Sequence, residues 1–245
     1  MVNIDAKGLE WVTVVWLSQD KVGMEEIRLG VDQHTENQRA FNLPDRGIAK
    51  IFVFRLIYGG SKWAYALDPD FNYISKSADY WQKVIDRFYE KYKGIQRIHA
   101  SWVREVVSTG GLEMPTGRLF KFEPHRNKYG ELEWPRTQIL NYPVQGTGHD
   151  LVTIARVSLF RRINEQPILS LCTRFVSTVH DSIVLDVNFN SYDGRMGILC
   201  DLINGVFADI PSNFQKLFGV EFNLPIKAEI SYGHNLLDTE VWNVV

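Results

Sequence analysis

A chain of 245 residues, 45% of them apolar, has room for one large domain or two small ones and enough apolar material for a sizeable core, which excludes long disordered tracts. A formal net charge of −2 excludes nucleic-acid binding by bulk charge, so any such binding must use local basic surface or a partner that supplies it. Cys172 and Cys200 lie far apart, give neither metal-site spacing nor a disulfide framework, and fit a reducing cytoplasm. No apolar run reaches the roughly 18 residues of a transmembrane helix, and MVNIDAKGLE does not resemble a signal peptide, so no membrane association is expected.

Residues 1–5 read as a short strand that ends in a carboxylate, Asp5, and a strand so near a terminus needs neighbours to pair with. From Leu9, LEWVTVVWLSQD reads as a buried helical segment, and by pattern alone Glu10 fits its solvent side. Residues 30–37 form a loop into a helix start that Thr35 can cap, with His34 before it; a lone histidine is more often structural than catalytic.

The stretch 46–60, RGIAKIFVFRLIYGG, then sets Arg46, Lys50, Phe54 and Tyr58 four residues apart. A helix turns about 100° per residue, so all four share a face. Pro44 and Asp45 suit its first turn and Gly59 and Gly60 its end, while Ile48, Ala49, Phe52 and Leu56 fall on a second face that can pack into a core. Two cations followed by two rings match a nucleoside triphosphate laid along the row; a half-solvated helix with snorkelling basic residues fits the spacing equally.

Residues 61–72 are aromatic and turn-rich, and 75–107 are helical with a break expected near Gly94. Residues 106–134 read as a hairpin region whose Arg118, Lys121, Arg126 and Lys128 serve solubility or phosphate contact. Asn141 and Gln145 share a face if helical, and Pro143 predicts a helix start near itself. Residues 174–188 read as strand, turn, strand with His180, Asp181 and Ser182 in the turn. Residues 193–218 are helical, 224–231 form a final strand, and Gly233 opens a loose tail.

Asp5 and Asp181 both fall at strand ends, and a sheet can set them side by side. Adjacent ionised carboxylates repel unless cations bridge them, and magnesium is a hard, oxygen-seeking cation that does so. Two bridged metals can activate an attacking oxygen and stabilise a leaving one, with the Arg46/Lys50 row holding a triphosphate.

These segments resemble family A DNA polymerases, the group of bacterial DNA polymerase I and its phage relatives. NIDAKGLEWVTVVWLSQD resembles motif A, RGIAKIFVFRLIYGG resembles motif B (RxxxKxxxFxxxYG) at every fixed position, VHDS resembles motif C, and NYPVQGT and KAEISYGHN resemble further family segments, all in the family's order. The resemblance implies an α+β fold: a right-hand palm, an antiparallel sheet with a catalytic hairpin, plus mainly helical fingers, with thumb and exonuclease absent. It places palm at 1–20 (motif A), fingers at 21–106 (motif B helix 44–60) and palm again at 107–245, with the hairpin region, the helix after Gln145 and motif C at 179–184.

By the same resemblance Asp5 and Asp181, with the Ala6 carbonyl, bind two Mg2+ ions. Glu10 closes the space of a ribose 2′-hydroxyl. Arg46 and Lys50 bind triphosphate oxygens, and Lys50 also gives a proton to the leaving pyrophosphate. Phe54 tests the sugar 3′-hydroxyl, Tyr58 stacks near the templating pair and braces Glu10, and His34 lies near the triphosphate. Asn141 and Gln145 touch the primer–template minor groove, and His180 lies by the primer terminus. The implied partners are primer–template DNA and deoxynucleoside triphosphates; a second polypeptide carrying thumb and exonuclease is also expected, as in a split, phage-type replicative polymerase, with a fragment of a longer chain as the alternative, and the expected location is the cytoplasm.

Three positions depart from the pattern. Ser182 replaces the usual Glu, Thr137 replaces an Arg beside Arg136, and Gly8 replaces a Gln, as in some phage members. HDS also occurs in single-subunit RNA polymerases, but those resemble a small residue at the Glu10 position and lack an aromatic at the Phe54 position, and a carboxylate filling the 2′ space selects deoxynucleotides. A non-catalytic DNA-binding subunit is the other alternative; joint retention of Asp5, Arg46, Lys50 and Asp181 argues against it.

Overall fold

The computed structural model describes residues 1–242. The chain opens with strand β1 (Val2–Ala6) and helices α1 (Leu9–Ser18), α2 (Lys21–Arg28), α3 (Gln33–Phe41) and α4 (Arg46–Ile57). Two short helices, α5 (Lys62–Ala66) and α6 (Pro69–Asn72), occupy the turn-rich stretch and lead to α7 (Ala78–Lys91) and α8 (Lys93–Thr109). Two small hairpins follow, β2 (Gly111–Glu113) with β3 (Leu119–Lys121) and β4 (His125–Arg126) with β5 (Leu132–Glu133). Then come α9 (Arg136–Glu165), α10 (Pro167–Ser170), β6 (Thr173–Val179), β7 (Ser182–Val187), α11 (Gly194–Ala208), α12 (Ile210–Phe218), β8 (Ala228–Gly233) and β9 (Thr239–Val241). The chain divides into two compact units, Met1–Trp11 with Thr147–Val245, and Val12–Gly146.

In the first unit, antiparallel strands run in the order β6-β7-β1-β8-β9. The terminal strand β1 therefore has a partner on each side. Its alternation is that of a half-buried strand: Val2, Ile4 and Ala6 are buried, while Asn3 and Asp5 face the other way. On the buried side Ile183, Leu185 and Ile230 of the sheet and Leu199, Ile203 and Phe207 of α11 are all close to fully enclosed. Each such side chain contributes about 1.5–3 kcal/mol through lost apolar exposure.

The second unit is built on rings. Phe41, Phe52, Tyr65, Phe71, Trp81, Phe88 and Tyr92 are at most 1% exposed. Phe52 of α4 sits among them, with ring centroids 5.0 Å from Tyr65, 5.9 Å from Phe41 and 6.2 Å from Trp81. Their polar atoms are satisfied on the spot: Tyr65 Oη donates to the Phe52 carbonyl at 3.0 Å and Trp81 Nε1 to the Ser75 carbonyl at 2.8 Å. The break between α7 and α8 falls at Tyr92, two residues before the expected Gly94. Gly94 marks a close approach: its N–H donates to buried Asp20 Oδ2 at 2.6 Å, and a Cβ there would lie 2.7 Å from the Asp20 Cα.

Several expectations are corrected. Asp32, not Thr35, caps α3, accepting from the His34 and Thr35 N–H groups, because its carboxylate reaches the first-turn donors and Thr35 already lies inside the helix. The helix containing Asn141 starts at Arg136, upstream of Pro143, which it accommodates internally. Enclosure of Ile139, Leu140 and Val144 outweighs the roughly 3 kcal/mol that an interior proline costs. Ser182 begins β7 instead of lying in the turn, since it pairs with Val179 across a loop of His180 and Asp181 alone. The last long strand starts at Ala228, not Leu224, as Pro225 offers no N–H to a ladder. After Gly233 the described residues are not loose: β9 pairs with β8, and Trp242 N–H donates to the Ile230 carbonyl at 2.8 Å, while residues 243–245 of the expected tail lie outside the described residues.

Candidate functional site

The first unit gathers acids around Asp5. In the β1 register Asp5 stands opposite Ser182 on one side and Glu229 on the other, and directly opposed residues of antiparallel strands project from the same sheet face. Asp181 enters from the hairpin loop. That loop is only two residues long, and His180 meets it with a left-handed backbone (φ 54°), a conformation histidine tolerates better than most non-glycine residues. Ser182 Oγ donates to the Val179 carbonyl at 2.9 Å and pins the loop's base. Burial first, then the charges of Asp181, Glu229 and Glu10 and a hydrogen bond shared with Asp181, push the Asp5 carboxyl up to about 6.

A carboxylate whose ionisation is opposed by burial and by neighbouring carboxylates is a place where a divalent cation gains most. The donors, carboxylate oxygens and the backbone carbonyl of Ala6, are hard. Among the described residues no three or more His, Cys, Asp or Glu side chains form a ready metal cage. Two carboxylates completed by water and substrate phosphate are the way Mg2+ is usually held, so these residues fit that ion.

The second unit carries the row on α4. Asp45 caps this helix, accepting from Ile48 N–H at 2.8 Å, and so fixes where Arg46 emerges. Arg46 and Lys50 are exposed, Phe54 and Tyr58 half-buried, while Ala49, Phe52, Val53, Leu56 and Ile57 face the core. Arg46 is held side-on by Asp32, with Nε at 3.0 Å and Nη2 at 2.8 Å from Oδ2. Among the described residues that pair leaves the Nη1 edge of the guanidinium uncommitted. The Arg46 hydrogen bond, with help from backbone N–H groups of Thr35 and His34, holds the Asp32 carboxyl down at about 2. Lys50 Nζ lies 5.9 Å from the Phe54 ring centroid, and the His34 ring 5.7 Å from it.

His34 is buried, with no partner for Nδ1. Burial, then the Arg46 charge, push it down to about 4, with Asp32 opposing and Lys50 adding, so it is neutral at pH 7. His99, also in this unit, is pushed down to about 3 by burial and Arg136. Since an unfolded chain binds protons at histidine below about 6.5 and the folded unit does not, stability should fall as pH drops from about 6.5 towards 4. A lower urea midpoint at pH 5 than at pH 7, with the difference reduced in His99→Gln, is the expected result.

The structure thus joins Asp5, Asp181 and Glu10 in one electrostatic group and Arg46, Lys50, Phe54 and His34 in another. Tyr58 caps the C-terminal end of α4, Asn141 and Gln145 lie a turn apart on α9, and His180 is exposed in the hairpin loop. Two members were missed. Glu229 carries a faint signal, since alternation sets it opposite buried Ile230, but only the register brings it to Asp5. Asp32 was legible as an acid directly before QHT, a better cap than the threonine within it.

A family model described as DNA polymerase family A matches residues 1–238. DNA polymerase I of Chloroflexus aurantiacus is 24% identical over 217 residues, covering 85% of this chain and 22% of that protein. DNA polymerase I of Bacillus caldotenax is 23% identical over 245 residues, covering 96% of this chain and 26% of that protein. The chain therefore spans about a quarter or less of the length of these relatives. The solved POL domain of Pol1 from M. smegmatis, in complex with DNA primer-template and dNTP, superposes with a TM-score of 0.76 at 20% identity, covering 95% of this chain and 39% of that one. The fold is thus the expected α+β one, an antiparallel palm sheet with its hairpin and mainly helical fingers. Motifs in family order, acids crowded at a sheet centre and a family match along nearly the whole length lead to one conclusion: the chain belongs to DNA polymerase family A.

Proposed function

We propose that this chain carries out template-directed DNA synthesis, adding deoxynucleoside triphosphates to a primer 3′ end. The observation that carries the reading is the crowding of Asp181, Glu229 and Glu10 around Asp5 in a family A chain. Asp5 and Asp181, with the Ala6 carbonyl, would hold two Mg2+ ions, which when bound would supply Lewis-acid activation of the primer 3′-oxygen and the leaving phosphate. Arg46 offers its free guanidinium edge to triphosphate oxygens, and Lys50 Nζ neutralises the leaving pyrophosphate and gives it a proton. Neutral His34 offers a hydrogen bond beside the same phosphates. Phe54 packs against the sugar and Tyr58 near the templating pair, while Asn141, Gln145 and His180 contact primer–template DNA.

The palm segments in this reading are 1–20 and 107–245, and the fingers 21–106. The net charge of −2 supports further DNA-holding surface on a second polypeptide bearing thumb and exonuclease, and Gly8 supports a phage-type assignment. Among the described residues no helix is long and apolar enough to cross a membrane.

The test is extension of a labelled primer on a DNA template by the purified chain with dNTPs and Mg2+, alone and with any co-purifying polypeptide. Extension that needs Mg2+ is expected; none under either condition overturns the reading in favour of a non-catalytic subunit. Glu10→Ala should raise ribonucleotide insertion relative to deoxynucleotide by about 10-fold or more, the scale of one lost steric or polar contact. Unchanged sugar preference would remove Glu10 from that role and reopen the RNA-synthesis alternative.

A further inference from the structure

The second unit holds another cationic feature, apart from the α4 row. A cavity of about 400 Å3 is walled by Tyr89 of α7, by Gln96, His99 and Arg104 on one face of α8, and by Arg136 at the start of α9. No acidic residue lines it among the described residues. Among the described residues neither Arg104 nor Arg136 makes an ion pair or a side-chain hydrogen bond, whereas Arg39, Arg46, Arg55, Arg162 and Arg195 are each matched to a carboxylate.

The wall also contains an unmet polar group. His99 is 2% exposed, its Nδ1 is 3.2 Å from Tyr89 Oη, and its Nε2 is buried with no partner. The Tyr89 hydroxyl and Nδ1 share one hydrogen bond, whose direction follows from the imidazole tautomer. In the tautomer that carries its hydrogen on Nε2, Tyr89 donates to Nδ1 and the Nε2 donor is unsatisfied. Leaving a buried donor unmet costs about 1–3 kcal/mol, which a ligand acceptor would offset.

Two uncompensated guanidiniums, a carboxamide, an unpartnered imidazole nitrogen and a phenol ring, with no opposing acid among the described residues, form a polar set for phosphate beside an aromatic wall for a base. The volume lies in the range of small-ligand sites, about 300–1,000 Å3. We propose that this cavity binds one phosphorylated nucleotide unit, separately from the triphosphate site on α4. The inference deepens the DNA-synthesis reading and rests on it for the choice of a nucleotide over other phosphates. The unit comes from single-stranded DNA or from free nucleotide.

The test uses the full chain, fluorescein-labelled oligothymidylate as the strand probe, dTMP as the free nucleotide and inorganic phosphate as the reference anion. The wild type is compared with Arg104→Ala/Arg136→Ala and with Gln96→Glu, an exposed position where an added acid leaves folding intact and repels phosphate. Oligothymidylate affinity should drop at least about 10-fold in both variants, and the slope of log affinity against log salt should shrink by about 1.4 in the double variant, about 0.7 for each lost contact to a single strand.

If dTMP binds with the same arginine dependence, the source is free nucleotide; if only the oligonucleotide does, it is a strand. Phosphate binding as tightly as either overturns the nucleotide assignment. Oligothymidylate binding that ignores all three substitutions overturns the cavity, and primer extension by the wild type in that same case leaves the polymerase reading standing.

Discussion

Asp181→Ala is expected to reduce Mg2+-dependent primer extension by well over about 100-fold, because the loss of even a residue that only supports a metal ligand costs about 10–100-fold. The same substitution should leave the fold intact. Asp181 is half-exposed in a two-residue loop, and the loop's base is pinned by Ser182 through the Val179 carbonyl. Removing it also removes the like charge that raises Asp5 most, so the Asp5 carboxyl should move back towards its ordinary value of 3.8 as far as its burial allows. A thermal midpoint that holds or rises while extension disappears separates a metal-binding role from a structural one. Asp5→Ala should match it in activity. Extension at the wild-type rate by either variant would remove that acid from the chemistry, and unchanged Mn2+ affinity would do so independently of turnover.

Phe52→Ala is expected to destabilise the helical unit by about 3–5 kcal/mol, the usual cost of emptying a buried phenylalanine site. Phe52 is 0% exposed, and the rings of Phe41, Tyr65, Trp81 and Phe88 surround it with centroids 5.0–6.4 Å away. These neighbours are themselves locked by ring contacts and by Tyr65 Oη on the Phe52 carbonyl, so the site cannot collapse to fill the void. Typical domain stability is about 5–15 kcal/mol, so the loss is a large share of it. Urea unfolding followed by tryptophan fluorescence reads it directly, and a midpoint shift worth under about 1 kcal/mol would mean that the ring cluster repacks. Lys50→Ala, on the opposite side of the same helix, should change stability little, because Lys50 is exposed and its ammonium lies 5.9 Å from the Phe54 ring centroid, an exposed cation–π contact of modest strength.

The two faces of α4 were legible because helical periodicity is a local property: steps of four residues keep Arg46, Lys50, Phe54 and Tyr58 together whatever the rest of the chain does. The hairpin at 173–187 was legible for a similar reason, as β-branched runs flank a short polar loop. Pro143 misled because its cost is a local penalty of a few kcal/mol, and the enclosed Ile139, Leu140 and Val144 exceed it through contacts that no local pattern shows. The β9 pairing with β8 was hidden for the same reason: Thr239–Val241 lacks a strong apolar alternation, and its order comes from the ladder it joins.

By itself the sequence determined the chemistry available: which carboxylates end strands, which cations and rings share a helical face, and the order of motifs that identifies the family. Tertiary structure alone decided who stands beside whom. Strand register set Glu229 against Asp5 across more than two hundred residues of chain, and the α3 cap brought Asp32 onto Arg46. Both are consequences of pairing between segments, and register depends on the whole buried face of a sheet and not on any residue within it. The raised Asp5 and the tethered Arg46 are therefore properties of the fold, although every group involved could be named from the chain.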